Sequence, residues 1–468
     1  MRRDGLFERM PLLPMAVSLI VGLTASPLGP ATAMLVVLLC VAVAASWMVG
    51  RWPSVQFVAI TVCFVLLGMV IGRTRVSSVP DGVPTEAVIV GELSERPKTL
   101  MTDLLLTKTG ERRRCYIWKD ERSRHLSLGD ALVVSISDGR FVRWNDWRGG
   151  GNGRQQMSRV ERLRLKALQL RHTLLQRFKT ADADADAYAV LAAMSLGDKG
   201  ALTAELRVTY SVTGASHVLA LSGLHLGIIY MLLIMLLPHS RRSMVAQLVA
   251  VLALWAFAFI TGLSPSVVRS ASMISLFAVF SLGDRRRSSV NVLCFTAMVM
   301  LLVSPSSLSD VGFQLSFMAV LSILLWKPVL DKLVSQRWLL SHSVARWAWG
   351  LATVSVAAQL GVAPLIAYYF GRFSTYFLLT NFIVIPAATL ILYGALAVLV
   401  VPAFGSVLLW FVAALNSVLG TMSQLPGASI DGLHPSVIQV VIIYTLIAVV
   451  YAISVRMLKY RNTFSPYI

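Results

Sequence analysis

Charge is what this chain has least of. Only 14% of its 468 residues are Asp, Glu, Lys or Arg, against about 25% in a soluble globular domain. With 56% hydrophobic residues, a soluble enzyme is excluded and an integral membrane protein is indicated. Acidic residues are scarcer than basic ones, 23 against 42, so the formal charge is +19. That balance suits an anionic partner, either lipid headgroups or nucleic acid. Cysteine is also rare. Cys40, Cys63 and Cys294 fall in apolar runs and Cys115 stands alone in a polar region, which leaves no disulfide framework and no paired-cysteine metal site. The seven histidines are never closer than the eight residues between His217 and His225. No Gly-x-x-x-x-Gly-Lys-Ser/Thr loop occurs, which excludes ATP hydrolysis by that route.

What is present is a series of long apolar runs. A bilayer crossing needs about 20 apolar residues. By that rule there are twelve candidates: 11–27, 31–49, 54–72, 216–237, 243–262, 265–283, 289–304, 310–326, 347–370, 375–401, 404–424 and 436–455. With the N-terminus in the cytoplasm, the short loops and tails on that side hold 16 Lys and Arg, and the opposite short loops hold only Arg372. The positive-inside rule therefore predicts both termini in the cytoplasm and the polar region 73–215 outside. The N-terminal apolar run reads as a retained signal anchor, because a second run follows at once.

The polar region divides in two. Residues 85–143 hold β-rich runs such as EAVIVGEL and RRCYIW, separated by turn signals. About five short strands predict a small external β domain of OB type, with any small sandwich as the competing form. Its boundaries are taken as 73–147, after an N-terminal three-helix region 1–72. A glycine-rich break, a basic helix and an acidic linker fill 148–187, and 188–468 forms the main membrane region. The basic helix runs from Ser158 to Phe178. Ser158 and Glu161 suit a capping box, and Val160, Leu163, Ala167, Leu170, Leu174 and Phe178 form its apolar stripe. Arg159, Arg162, Arg164, Lys166, Arg171 and Arg177 line the rest. Three roles compete for it: lying on anionic lipid, binding DNA phosphates, or docking on the helix bundle. Asp182, Asp184 and Asp186 echo the opening of a calcium loop but lack its glycine and distal glutamate, so no metal site is assigned.

The most informative stretch is HVLALSGLHLG, residues 217–227. Polar groups in a membrane segment are costly and usually face a cavity or another helix. His217 and His225 lie two helical turns apart, which predicts one shared face. Ser222, Gly223 and Gly227 suit either a polar path or a close helix crossing. Ser222 and His225 resemble a nucleophile and its base, but no third, orienting group is evident, and the chain is read as a non-enzyme. Arg269 has two competing roles, phosphodiester contact and ion pairing with Asp310. Gln314, Gln359 and Asn381 are interhelical glue or path lining. Phe313, Phe317, Tyr368 and Tyr369 are packing groups or base-stacking platforms.

The same stretch closely resembles the signature of the ComEC family of competence proteins. Four further segments resemble that family's membrane domain in its order: SLGDKGAL (195–202), SPSVVRSASM (264–273), LSDVGFQLSFMAV (308–320) and the run from Ala357 to Pro386. Ser replaces the usual Ala after Arg269. The resemblance implies a polytopic α-helical protein of about twelve spans in the bacterial inner membrane, with the β domain inserted after the third helix. It implies a channel for uptake of single-stranded DNA in natural transformation, with His217, Ser222, Gly223, His225, Arg269, Asp310, Gln314, Gln359 and Asn381 along the path. The alternative is a transporter of another anionic polymer or a lipid-linked substrate. Single-stranded DNA and membrane lipids are the implied ligands, and no cofactor is implied. A separate DNA receptor, a cytoplasmic translocase motor and single-strand-binding proteins are the implied partners, and self-association into a homo-oligomer is possible. Many members of the family carry a metallo-β-lactamase-like domain with an HxHxDH zinc cluster, and no such cluster occurs in this chain.

Overall fold

The computed structural model describes residues 10–49, 51–74, 83–91, 93–95, 98–107, 112–136, 141–142, 147–149, 159–179, 184–236, 244–282 and 289–464. The charged loops with Arg241–Arg242 and Arg285–Arg287, most of the glycine-rich break, Ser158 and Asp182 fall outside these residues. The chain is mostly helical. Among the described residues, six helices are long and apolar enough to cross a membrane. Large apolar side chains on their outer faces remain exposed, as Val437, Ile438 and Val441 do on the last helix. A lipid environment covers such faces in a membrane protein.

Three helices open the chain: α1 (Leu12–Ala25), α2 (Thr32–Met48) and α3 (Pro53–Thr74). Helices α1 and α3 touch backbone to backbone, because a Cβ on Gly22 would lie 2.0 Å from the carbonyl oxygen of Val65. Small residues are the usual device for such contact between membrane helices.

A seven-stranded sheet follows, with strands β1 (Thr85–Ile89), β2 (Ser94–Glu95), β3 (Thr99–Leu106), β4 (Arg112–Trp118), β5 (Ala131–Val134), β6 (Phe141–Val142) and β7 (Trp147–Gly149). Its order is β6-β4-β3-β1-β5-β7, with β2 added to β3. Most pairs are antiparallel, and only β4 with β6 is parallel. The period of two is clear on β4, where Cys115 and Ile117 are buried and point into a core shared with Ala87, Leu104 and Leu132. Among the described residues the ladder runs open from β6 to β7.

The basic segment forms α4 (Arg159–Gln176). Glu161 accepts from Arg112 of β4 at 2.6 Å and ties the sheet to the helix, while the capping box expected of Ser158 lies outside the described residues. The buried face of α4 differs from the expected stripe. Leu165, Leu168, Arg171, Leu175 and Phe178 are buried, whereas Leu163 and Leu170 are 56% and 47% exposed. Periodicity finds an apolar stripe but cannot tell a lipid-facing stripe from a protein-facing one.

Asp184 caps α5 (Ala185–Leu196), accepting from the backbone N–H groups of Asp186 and Ala187. The acidic linker thus opens a helix. Every residue of α5 from Ala189 to Leu196 is buried. It is wedged between two long helices, α14 (Phe377–Val400) and α15 (Gly405–Gln424), and forms the largest apolar cluster with them. The rest of the bundle comprises α6 (Ala204–Val212), α7 (Gly223–Leu236), α8 (Met244–Ile260), α9 (Pro265–Leu282), α10 (Ser289–Val303), α11 (Val311–Leu330), α12 (Gln336–Ser341), α13 (Ser343–Phe370) and α16 (Val437–Phe464). Helices α11 and α13 pack antiparallel and very closely. A Cβ on Gly361 would meet the Met318 carbonyl oxygen at 2.5 Å, and Ser322 donates to the Ala357 carbonyl at 2.6 Å. Two short strands, β8 (Arg372–Ser374) and β9 (Ser429–Asp431), link the turns before α14 and α16.

Candidate functional site

The signature stretch departs from its expected form. Ala215–His217 make one 3₁₀ turn, Val218–Ser222 are irregular, and helix α7 starts only at Gly223. His217 and His225 therefore do not share a helical face. Val218, Leu219 and Leu221 are nevertheless buried, so this is irregular backbone inside the bundle. Such backbone must find partners for its freed groups. Ser266 of α9 supplies one by donating to the Leu221 carbonyl at 2.6 Å. A Cβ on Gly223 would meet the Ser270 hydroxyl at 3.1 Å, so glycine lets α9 approach here. Gly227 has nothing comparable within 4 Å, so it does not act as a crossing residue.

Ser222 and His225 close the start of α7. The His225 Nδ1 accepts from the Ser222 N–H at 3.3 Å and lies 2.9 Å from its hydroxyl. This is one half of a capping box, with histidine in the third position reaching back to the cap N–H. It places the imidazole proton on Nε2, which is buried and has no partner. A hydrolytic reading of the pair needs an acid to orient that nitrogen, and none among the described residues does so. His217 is exposed and its Nδ1 lies 3.0 Å from the Gly214 carbonyl, which makes Nδ1 the donor.

Arg269 enters from the first turns of α9 and is only 4% exposed. Its Nη1 donates to Asp310 at 3.2 Å, while Nε is buried without a partner. Asp310 is also anchored at the start of α11, which it caps by accepting from the Phe313 N–H at 2.7 Å. Gly312 is the residue that leaves room for this pair, since a Cβ there would lie 3.1 Å from both Arg269 Nη2 and Asp310 Oδ1. Of the two roles open to Arg269, the ion pair is therefore formed, and one guanidinium nitrogen is left over.

The amides divide. Gln314 is glue: it donates to the Leu308 carbonyl at 2.9 Å and accepts from the Tyr369 hydroxyl at 2.8 Å. Gln359 is half-buried on α13, two residues before the crossing glycine Gly361. Asn381, half-buried on the second turn of α14, keeps a buried Oδ1 without a partner, as does the hydroxyl of its neighbour Thr380. Phe313 is buried against Phe317 at 4.3 Å between ring centres, a packing role, while Tyr368 and Tyr369 are exposed.

The basic helix is docked on the bundle, and its arginines bind helix-end carbonyls. Arg164 donates to Gly262, and Arg171 donates to Leu196 at 3.4 Å and Thr261 at 3.2 Å. Arg177 donates to Leu399 at 2.7 Å. These carbonyls sit at or just past the C-terminal ends of α5, α8 and α14, where a cation complements the helix dipole. Arg159, Arg162 and Lys166 are exposed.

Three further cations were not singled out in the sequence. Lys199 and Arg207 flank the loop after α5, where Arg207 donates to the Lys199 carbonyl at 3.0 Å. Arg114 comes from β4, where it pairs with Asp103 at 3.0 Å. Asp103 holds the Arg114 guanidinium above its ordinary range, and the Asp310 carboxylate adds to the effect. Lys199 is reachable by water, yet protein crowds it. Desolvation pushes its ammonium down, and Arg207 and Arg114 push the same way. Gly197, at φ +78°, turns this loop against the signature, with Leu221 Cδ1 only 2.7 Å from where a Cβ would stand.

A helical bundle with buried polar groups gathered around broken backbone defines a multi-pass membrane protein with a polar site. Residues 194–457 match the family described as Competence protein. The match covers more than half of the chain, which therefore belongs to that family, and the resemblance read from the motifs holds. The chain is 31% identical over 246 residues to ComE operon protein 3 of Bacillus subtilis (strain 168), covering 52% of this chain and 30% of that protein. It is 35% identical over 201 residues to an uncharacterized protein of Aquifex aeolicus (strain VF5), covering 43% of this chain and 45% of that one. The chain thus spans less than half the length of either relative. No solved structure matches it.

Proposed function

We propose that this protein conducts single-stranded DNA across the bacterial inner membrane during competence. The observation that carries the reading is the unwound signature at Val218–Ser222, packed on α9, with the buried Nε2 of His225 and Nε of Arg269 left without partners. Family membership supplies the competence context. A strand would present phosphate oxygens as acceptors, and both unused groups are donors. Contacts of that kind are independent of sequence and weaken with salt.

Six long helices and six of the seven shorter apolar ones coincide with the twelve spans expected from the sequence, which supports a twelve-span protein with both termini in the cytoplasm. The β sheet at Thr85–Gly149 then stands outside as an OB-like receiving domain. Import on this reading depends on a separate receptor, a cytoplasmic motor and single-strand-binding proteins. The chain itself carries out no hydrolysis.

The test is transformation frequency in a competent host lacking the gene, with and without the wild-type copy. Loss on deletion and recovery on complementation supports the channel. Unchanged transformation, accompanied by an envelope defect, replaces DNA with another anionic polymer or a lipid-linked substrate.

A further inference from the structure

A cavity of about 290 Å³ lies where α12 meets the first turns of α13, away from the signature. Pockets that hold organic ligands run from roughly 300 to 1,000 Å³, so this one can take a chain-sized group. Ala345, Ala348 and Ala352 make room for it, three small residues on one face of α13. Trp338 and Leu339 of α12 and Phe382 of α14 line the remainder. Two aromatic pairs brace it: Trp338 stacks on His342 at 4.7 Å, and the ring of Trp347 meets Phe382 at 6.2 Å between centres. Trp338 is 50% exposed, so the cavity opens at the protein surface. Its lining includes one unused polar group. Trp349 lines the cavity, and its Nε1 is buried without an acceptor. An indole nitrogen can only donate, and buried donors left unpaired are rare. Helix α13 is one of those long and apolar enough to cross a membrane, and its first turns fall where bilayer meets water. Arg337, next to Trp338 on α12, and Arg346, one turn before Trp349 on α13, are both exposed. Neither forms an ion pair among the described residues.

We propose that this cavity binds an anionic phospholipid. One acyl chain fills the space over the three alanines, an ester carbonyl accepts from Trp349 Nε1, and Arg337 and Arg346 hold the headgroup phosphate. Apolar volume alone suits any hydrocarbon, and two arginines alone suit any phosphate. The buried donor selects a molecule that carries an acceptor on its chain, as an ester-linked lipid does. Basic sites between membrane helices are the usual places for such headgroups. The lipid would fix the short helix α12 against α13, and the site does not depend on what the protein conducts.

The test uses the full chain, purified and placed in phosphatidylcholine nanodiscs. These carry a trace of phosphatidylglycerol or phosphatidylcholine with a photoactivatable diazirine on one acyl chain, and the labelled peptides are mapped. Phosphatidylglycerol is expected to label residues 334–352 more strongly than it labels α16, whose exposed apolar face meets bulk lipid, and more strongly than phosphatidylcholine does. In Arg337→Gln and Arg346→Gln that preference for phosphatidylglycerol falls by about fivefold for each arginine lost. Trp349→Phe keeps the ring but removes the donor, and labelling by both lipids falls by about fivefold. Ala348→Leu leaves donor and arginines in place but fills the cavity, and labelling of 334–352 is lost. Equal labelling of 334–352 and α16 overturns the site, and equal labelling by the two lipids overturns the headgroup contact. Wild-type labelling in both Trp349→Phe and Ala348→Leu overturns the role of the cavity. Displacement by excess glycerol phosphate, which has no chain, or by a single-stranded oligonucleotide overturns the lipid as occupant.

Discussion

Two sets of basic residues in this protein look alike in the sequence and do opposite things. On α4, Arg164, Arg171 and Arg177 donate to carbonyls at helix ends. They are structural, although their helix is the most basic stretch of the chain. On α9, Arg269 instead spends a nitrogen on the carboxylate of Asp310, and Lys199 and Arg207 stay exposed. The difference lies in what surrounds each cation. A guanidinium buried against fixed carbonyls is a clamp, whereas one beside a competing carboxylate is exchangeable. A net charge of +19 therefore says less about nucleic-acid binding than the partners that each cation already has.

Breaking the clamp gives the largest expected effect. Arg171→Ala leaves two buried carbonyls without a donor and is expected to cost about 3 kcal/mol, read as a clear fall in thermal unfolding temperature in detergent. Arg171→Lys should recover only part of this, because one ammonium does not reproduce the planar fork. Arg269→Ala inverts the pattern: folding is largely retained, because its partner Asp310 is half-exposed, and DNA uptake falls at least tenfold. If instead Arg269→Ala unfolds the protein while Arg171→Ala folds and fails to transport, the two sets have been assigned the wrong way round.

Lys199 sharpens the comparison through pH. Its ammonium is held below the ordinary lysine range, first by desolvation and then by Arg207 and Arg114. As pH rises, it loses its charge earlier than a free lysine does. Oligonucleotide binding by wild type should therefore weaken on the alkaline side, and Lys199→Arg, which stays charged, should bind with a flatter profile. The smallest effect is expected at Gly312. In Gly312→Ala the new methyl meets Arg269 and Asp310 at 3.1 Å, and uptake should fall about twofold with stability changed by less than about 1 kcal/mol.

Much of the helical layout was legible because lipid demands long apolar runs, and those runs are unmistakable in the sequence. The β runs were legible from alternation, as at Cys115 and Ile117. The failures share a cause. Periodicity marked Leu163 and Leu170 as part of one apolar stripe and left its partner open, and the buried face is the one carrying Arg171. The signature read as continuous helix because its residues are apolar. Its unwound backbone takes a hydrogen bond from Ser266, which comes from another helix. The Arg269–Asp310 pair was visible as one of two options, since both residues sit near helix starts.

The central claim is that an incoming strand passes the unwound signature. His217 lies exposed beside it, so the most direct measurement is thiol labelling of His217→Cys in a chain whose four native cysteines have been replaced, with and without transforming DNA engaged. The account predicts that engaged DNA protects this thiol while leaving a thiol at Arg122 equally reactive. Labelling at 217 that is indifferent to DNA, in cells that still import it, would contradict the account.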